Sequence, residues 1–268
     1  MKIQPGNVAV ITGAGSGIGR ALALNLASKG CILALADKNS RGLEETAGMI
    51  STTCSTHVLD VADKDAVQDF ATAVIEQHGK VDILINNAGV ALGGTVEQVS
   101  IDQIAWLFDI NFWGVVHGVK AFLPVLKQQP EAHIVNLSSV FGLFAVPGQA
   151  AYCASKFAVR GFTETLRQEL ARTAIKVSCV HPGGIKTNIA RNARFDAMTE
   201  KEQQRGRAYF ERVLTMPPER AADIIVRGIE RNAPRILIGR EAYIMDFAQR
   251  LSPRNYPSVI KLFSRLMP

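Results

Sequence analysis

Cysteine is scarce in this 268-residue sequence: Cys31, Cys54, Cys153 and Cys179 stand far apart, with no Cys-x-x-Cys pair. That argues against a disulfide scaffold or a thiolate metal site and favours a reducing, cytoplasmic compartment. The five histidines, at 57, 78, 117, 133 and 181, show no ligand spacing, so no metal is expected. Long apolar runs are missing too: none approaches the roughly 18 uncharged residues that cross a bilayer. The few residues before the first apolar run leave no room for a signal peptide. Aromatics make up only 7% and are not interleaved with basic residues, which excludes a nucleic-acid binder despite a net charge of +6. No repeat, low-complexity stretch or long linker divides the chain.

What the sequence does contain is an alternation of short apolar runs and helical stretches, with 47% hydrophobic and 20% charged residues. Val8-Ala-Val-Ile11, Cys31 to Ala36, Thr56 to Leu59, Asp82 to Ile85, His133 to Leu137, Lys176 to Val180 and Arg235 to Gly239 read as strands. Helices are expected over about Arg41 to Ile50, Lys64 to His78, Ile101 to Gln128 (N-capped by Ser100 and interrupted near Asp109 to Asn111), Tyr152 to Arg172 and from Pro217. The expected architecture is α/β: one domain holding a doubly wound, Rossmann-type parallel sheet of about seven strands flanked by helices.

Between the first strand and the first helix stands Thr12-Gly-Ala-Gly-Ser-Gly-Ile-Gly19. Gly13, Gly17 and Gly19 allow a tight turn that presents backbone N–H groups and a helix N-terminus to a pyrophosphate. Asp37, closing the second strand, is placed to accept both ribose hydroxyls of an adenosine and to repel a 2′-phosphate. Ser16 brings no cation to the loop. Lys38 and Arg41 are nearby, yet the balance favours NAD(H) over NADP(H).

The fifth strand leads into Ser139, then Tyr152 and Lys156. Positions i and i+4 share a helix face, so the phenol and the ammonium stand together, and a fixed cation stabilises a phenolate. Taken together, Thr12-Gly-x-x-x-Gly-Ile-Gly19, Asp60-Val61, Asn86-Asn-Ala-Gly89, Asn111, Ser139, Tyr152-x-x-x-Lys156 and Pro182-Gly-x-Ile-x-Thr187 resemble the short-chain dehydrogenase/reductase family, in its compact single-domain branch. The likeness runs from about Val8 to Thr187.

The resemblance implies roles. Tyr152 would be the acid/base at the carbinol oxygen, and Lys156 would bind the nicotinamide ribose and depress the Tyr152 pKa. Ser139 would hydrogen-bond the substrate oxygen, and Asn111 would hold a water relaying protons from Lys156. Gly13, Ser16, Gly17, Ile18 and Gly19 would cradle the pyrophosphate. Asp60 and Val61 would contact adenine, Asn87 the ribose side, and Ile185 and Thr187 the carboxamide. The reaction would be hydride transfer between NAD(H) and a secondary alcohol or ketone. A dinucleotide-binding regulator of the same fold, without turnover, is the alternative.

Val140, Phe141, Leu143, Phe144, Ala145 and Val146 are expected to face a hydrophobic substrate, with residues 188–215 as a lid. Arg191 and Arg194 could meet an anionic group there. A homodimer or homotetramer is implied, through the helices at Asn111–Gln128 and Tyr152–Arg172. From 234 to 268 the chain is basic, with Ile244, Phe247, Leu251, Val259, Ile260, Phe263, Leu266 and Met267 at helical spacing. This tail could dock on its own domain or a second subunit, or make peripheral contact with a membrane.

Overall fold

The structure, a computed structural model, describes residues 1–189, 191–195 and 198–258, apart from the side chains of 207 and 209–211. The second half of the tail pattern, Val259 to Met267, lies outside the described residues. The strands are β1 (Val8–Thr12), β2 (Ile32–Asp37), β3 (Cys54–Val58), β4 (Ile83–Asn86), β5 (Ala132–Leu137), β6 (Ile175–Pro182) and β7 (Arg235–Ile238). They form one parallel sheet in the order β3-β2-β1-β4-β5-β6-β7. The helices are α1 (Gly17–Ser28), α2 (Ser40–Ala47), α3 (Lys64–His78), α4 (Ile101–Phe108), α5 (Gly114–Leu126), α6 (Ala150–Glu169), α7 (Glu200–Val213), α8 (Pro218–Glu230) and α9 (Arg240–Leu251). Strand order reverses at β1 and β4, and a crevice opens there beyond the carboxyl ends of the strands.

The strands read as unbroken apolar runs because both faces of the sheet are covered. Successive side chains leave opposite faces: Ala9 and Ile11 join the layer of α1 and α8, with Leu22, Leu26, Ile225 and Ile229. Val8 and Val10 join the layer of α3 and α5, with Val67, Phe70, Val119 and Phe122. Helix ends follow local chemistry. Asp63 accepts from the amides of Asp65 and Ala66 to start α3, and Gly79 ends it at φ +73°. Ser100 and Gln103 form a reciprocal capping box on α4.

Two boundaries differ from expectation. β6 runs through His181 into Pro182, past the point where proline was expected to stop it. The amides of Cys179 and Gly183 serve β7, so position 182 would face β5, which ends at Leu137, and the missing N–H breaks no ladder bond. The interruption between α4 and α5 is a π-helical turn, Asp109–Trp113, that continues the axis rather than breaking it. Such one-residue bulges turn a side chain onto a new face of the helix; here Asn111 becomes fully buried.

Two strand histidines are buried as neutral imidazoles. His133 Nε2 donates to Ser178 Oγ at 2.8 Å, since that hydroxyl gives its own proton to the Ala233 carbonyl. His181 Nδ1 donates to the Ser139 carbonyl at 2.9 Å. The remaining ring nitrogens, His133 Nδ1 and His181 Nε2, have no partner. Burial pushes the two pKa values down, to about 3 and about 4 respectively. The unfolded chain, with histidine near 6.5, then binds more protons than the native one between those values and 6.5. Stability is therefore expected to fall as pH drops from about 6.5 towards 4, by up to ~1.4 kcal/mol per pH unit for each histidine. Urea denaturation across that range checks this: His133→Gln should flatten the slope, and an unchanged slope in the variant would refute the assignment.

Candidate active site

The glycine loop is built for close approach. Gly13 and Gly17 have φ of +67° and +54°, a region that favours glycine. A Cβ on Gly13 would come within 2.8 Å of Asn87 Nδ2 and the Ala88 backbone, and one on Gly17 within 3.0 Å of the Thr187 methyl. Asn87 locks the loop to the end of β1, donating to the carbonyls of Thr12 and Gly13 at 2.9 and 3.0 Å. Gly13, Ser16, Gly17 and Ile18 border the cavity with Asn87, Ile185 and Thr187. Gly19 does not border it. Its hydrogen faces the Gly13 carbonyl and Asn87, where a side chain has no room, so it serves the packing of α1 on β1.

Asp37 closes β2 with its carboxylate at the loop: Oδ2 accepts from Gly15 N at 2.8 Å and Oδ1 from Asn39 N at 2.9 Å. The capping of α2 falls instead to Asn39. The neighbouring cations are engaged elsewhere, Lys38 with Asp60 at 2.6 Å and Arg41 with Glu45 at 3.3 Å. Asp60 and Val61 form the next part of the wall.

At the other end of the cavity, α6 carries Tyr152 and Lys156 one turn apart, both buried. Lys156 Nζ donates to the Leu137 carbonyl at 3.1 Å and lies 5.8 Å from the Tyr152 ring centroid. The Ser139 hydroxyl favours the charged form of the Tyr152 phenol and accepts from Phe141 N at 3.1 Å. Ser138, the adjacent hydroxyl, is spent on the Lys156 carbonyl at 2.8 Å. Burial pushes Tyr152 up to about 12, with Ser139 opposing the rise. Burial also lowers Lys156, to about 8. The resemblance implied a depressed phenol; in this chain burial is the largest influence on it and Ser139 the opposing one. Asn111 is spent on scaffolding: Oδ1 accepts from Val90 N at 2.8 Å, and Nδ2 donates to the Val90 carbonyl at 3.0 Å and to Ser155 Oγ at 3.2 Å.

The cavity has a volume of about 1190 Å³ and continues past Tyr152 to Phe141, Phe144, Val146, Phe195, Met198 and Met245. Leu143 and Ala145 were expected on this wall but are not. Leu143 is buried against α9, and Ala145 points outward. Arg194 stacks its guanidinium on Trp106, 3.6 Å from the ring centroid, and Arg191 is exposed; neither borders the cavity.

A sequence model described as short chain dehydrogenase matches residues 7–197. The chain belongs to this family. It is 48% identical over 266 residues to the putative oxidoreductase SadH of Mycobacterium tuberculosis, covering 97% of this chain and 96% of that one. A short-chain dehydrogenase/reductase from Burkholderia phymatum, solved in complex with NAD, superposes with a TM-score of 0.88 at 33% identity, covering 94% of this chain and 96% of that one. A metagenomic short-chain oxidoreductase in complex with NADP gives 0.72 at 28% identity, covering 88% and 98%. The protein is thus a dehydrogenase/reductase of a family whose members bind NAD or NADP.

The short-chain dehydrogenase site holds three residues that pattern reading did not single out. Arg20 steadies the glycine loop through Nη2, which donates to the carbonyls of Gly15 at 2.6 Å and Gly42 at 3.2 Å and pairs with Glu45. His181 holds the Ser139 peptide from β6. Glu241 reaches from α9 to accept from Gly184 N at 2.8 Å. Arg20 adjoins the glycine motif and could have been noticed; nothing in the sequence joins positions 184 and 241. Cys153, beside the tyrosine, is a buried thiol whose pKa burial raises.

Proposed function

We propose that this enzyme interconverts a hydrophobic secondary alcohol and its ketone, with NAD(H) favoured over NADP(H). The observation that carries the reading is the buried Ser139–Tyr152–Lys156 cluster, which shares one cavity with the glycine loop and Asp37. The residues suit a dinucleotide: glycines whose side chains would fill the cradle, free space at the start of α1, and a carboxylate at the end of β2. When bound, the nicotinamide supplies the hydride-accepting or hydride-donating carbon.

Tyr152 gives its phenolic proton to the carbonyl oxygen in reduction and takes it back in oxidation. Ser139 donates to that oxygen as its negative charge develops. Lys156, cationic at neutral pH, favours the phenolate left after proton donation and holds the ribose. Asn111 acts through position: its side chain pins the Val90 segment against α6, so a relay water at this point uses the main chain of the π-helical turn. Gly13, Ser16, Gly17 and Ile18 would hold the pyrophosphate, Asp37 the ribose hydroxyls of the adenosine, Asn87 the ribose side, Asp60 and Val61 the adenine, and Ile185 and Thr187 the carboxamide. The Asp37 carboxylate at the end of β2, bonded to Gly15 N, would repel a 2′-phosphate, which supports NAD. The lid is α7 with its flanks, from which Met198, Val213 and Leu214 add apolar wall. Trp113 and Phe157, exposed on the π-helical turn and α6, support assembly as a homo-oligomer through those elements.

The test is a panel of apolar and polar secondary alcohols and ketones with NAD(H) and NADP(H), followed at the nicotinamide absorbance. Turnover of apolar members with NAD(H) is expected; turnover confined to polar substrates or absent throughout sinks the reading, and cofactor binding without turnover would favour a regulator. Because Tyr152 is held near 12 and Lys156 near 8, alcohol oxidation should rise with pH from about 7 as the phenolate becomes accessible. It should rise less steeply above about 8 as the supporting ammonium loses its proton, with ketone reduction not rising over the same range. Oxidation independent of pH would exclude the phenol as base.

A further inference from the structure

Helix α9 has two unlike faces. Its inner face packs Ala242 and Met245 against Val140, Leu143 and Phe144 of the turn that follows Ser139. Both acidic residues of the chain beyond Pro234 also serve this inner side. Glu241 accepts from Gly184 N at 2.8 Å, and Asp246 accepts from Arg235 at 2.7 Å, which in turn bonds Glu164 of α6 at 2.8 Å. The helix is thereby fastened to the active-site turn, to β7 and to the helix that carries Tyr152.

The outer face is apolar and basic. Tyr243 is 60% exposed, Phe247 65% and Leu251 69%, with Ile244 beside them. At 3.6 residues per turn these four and Arg240 fall within about 100° of arc, with Arg250 at its margin. A monomer leaves isolated apolar side chains in water routinely, but four on one helical stripe mark a contact surface.

We propose that the outer face of α9 docks this protein on an anionic lipid surface, with Tyr243, Ile244, Phe247 and Leu251 entering the interface and Arg240 and Arg254 meeting lipid phosphates. Charge selects this occupant. The face presents Arg240 and Arg254 as cations, while Glu241 is turned inward and Asp246 is divided between Arg235 and Arg250. A two-fold contact with a second copy would set Arg240 against the same patch, while Asp246, the carboxylate at the margin of the face, is already shared between Arg235 and Arg250. The chain's own last ten residues bring Lys261 and Arg265 and no acid, so they repel this face and add to an anionic surface's attraction. No helix among the described residues is long and apolar enough to cross a membrane, and an amphipathic basic helix lying in the interface needs no such length. The proposal does not depend on the substrate reading.

The test is co-sedimentation of the full-length chain with vesicles of phosphatidylcholine alone and of phosphatidylcholine with phosphatidylglycerol, alongside light scattering and thermal melting. Binding is expected only to the anionic vesicles and should weaken as salt is raised. Phe247→Ser with Leu251→Ser should lower partitioning at least about tenfold, and Arg240→Glu roughly 10- to 30-fold, with melting unchanged because these side chains face outward. Failure of the wild-type chain to bind anionic vesicles overturns the proposal, as does binding that survives the double substitution. So does a double variant whose change is in oligomeric state, which would assign the face to a second copy. Loss of binding on deleting residues 259–268 while the double variant still binds would assign it to the tail alone.

Discussion

Tyr152→Phe is expected to lower turnover roughly 100- to 10,000-fold in both directions while leaving NADH binding almost intact. The substitution removes one oxygen from a buried ring that packs edge-on to Phe141 at 6.1 Å, so the wall of the cavity stays in place. Ser139 keeps the amide of Phe141, and the cost in folding stability should be no more than about 1 kcal/mol. Lys156 remains fastened to the Leu137 carbonyl, so the cation is not displaced. What disappears is the proton delivered to the substrate oxygen. Titrating the variant with NADH by fluorescence separates the two effects: a retained dissociation constant with lost turnover assigns Tyr152 to chemistry. Activity within tenfold of wild type would move the acid to another group, and Ser139 would be the first to test.

Asp37→Ala is expected to raise KM for NAD at least about 100-fold with little change in kcat, and to narrow or reverse the preference over NADP. The magnitude follows from two ribose hydroxyls losing a charged acceptor, each worth ~1.5–3 kcal/mol. The same carboxylate also accepts from Gly15 N and Asn39 N, so part of any loss could come from a loosened loop. The cofactor ratio distinguishes them. A loosened loop weakens both dinucleotides alike, whereas removal of the negative charge relieves the 2′-phosphate selectively. Asp37→Asn, which keeps an oxygen acceptor, should preserve most NAD affinity and still improve NADP. If NAD and NADP weaken equally in both variants, Asp37 is a loop support and not the ribose reader.

Much of this was legible because the signals are local. A strand buried on both faces must be apolar throughout, so β1, β2 and β4 announce themselves. A capping side chain marks a helix start, so Ser100 locates α4. Errors cluster where one element's end depends on another's position. Pro182 is tolerated in β6 only because β5 has ended, and Leu143 turns away from the cavity only because α9 packs behind it. Gly19 was grouped with its loop neighbours by spacing, while the room it provides is for the Gly13 carbonyl and Asn87.

By itself the sequence determined the sheet, the glycine loop at its switch point, and the shared helical face of Tyr152 and Lys156. Each follows from period, turn chemistry or a spacing of a few residues. Tertiary structure alone decided that burial raises the Tyr152 pKa. It also decided that Asn111 is consumed by Val90 and Ser155, that Glu241 reaches Gly184 across the fold, and which face of α9 is left to solvent. Desolvation and long-range hydrogen bonds depend on what the rest of the chain places around a residue, and no window of neighbouring sequence contains that.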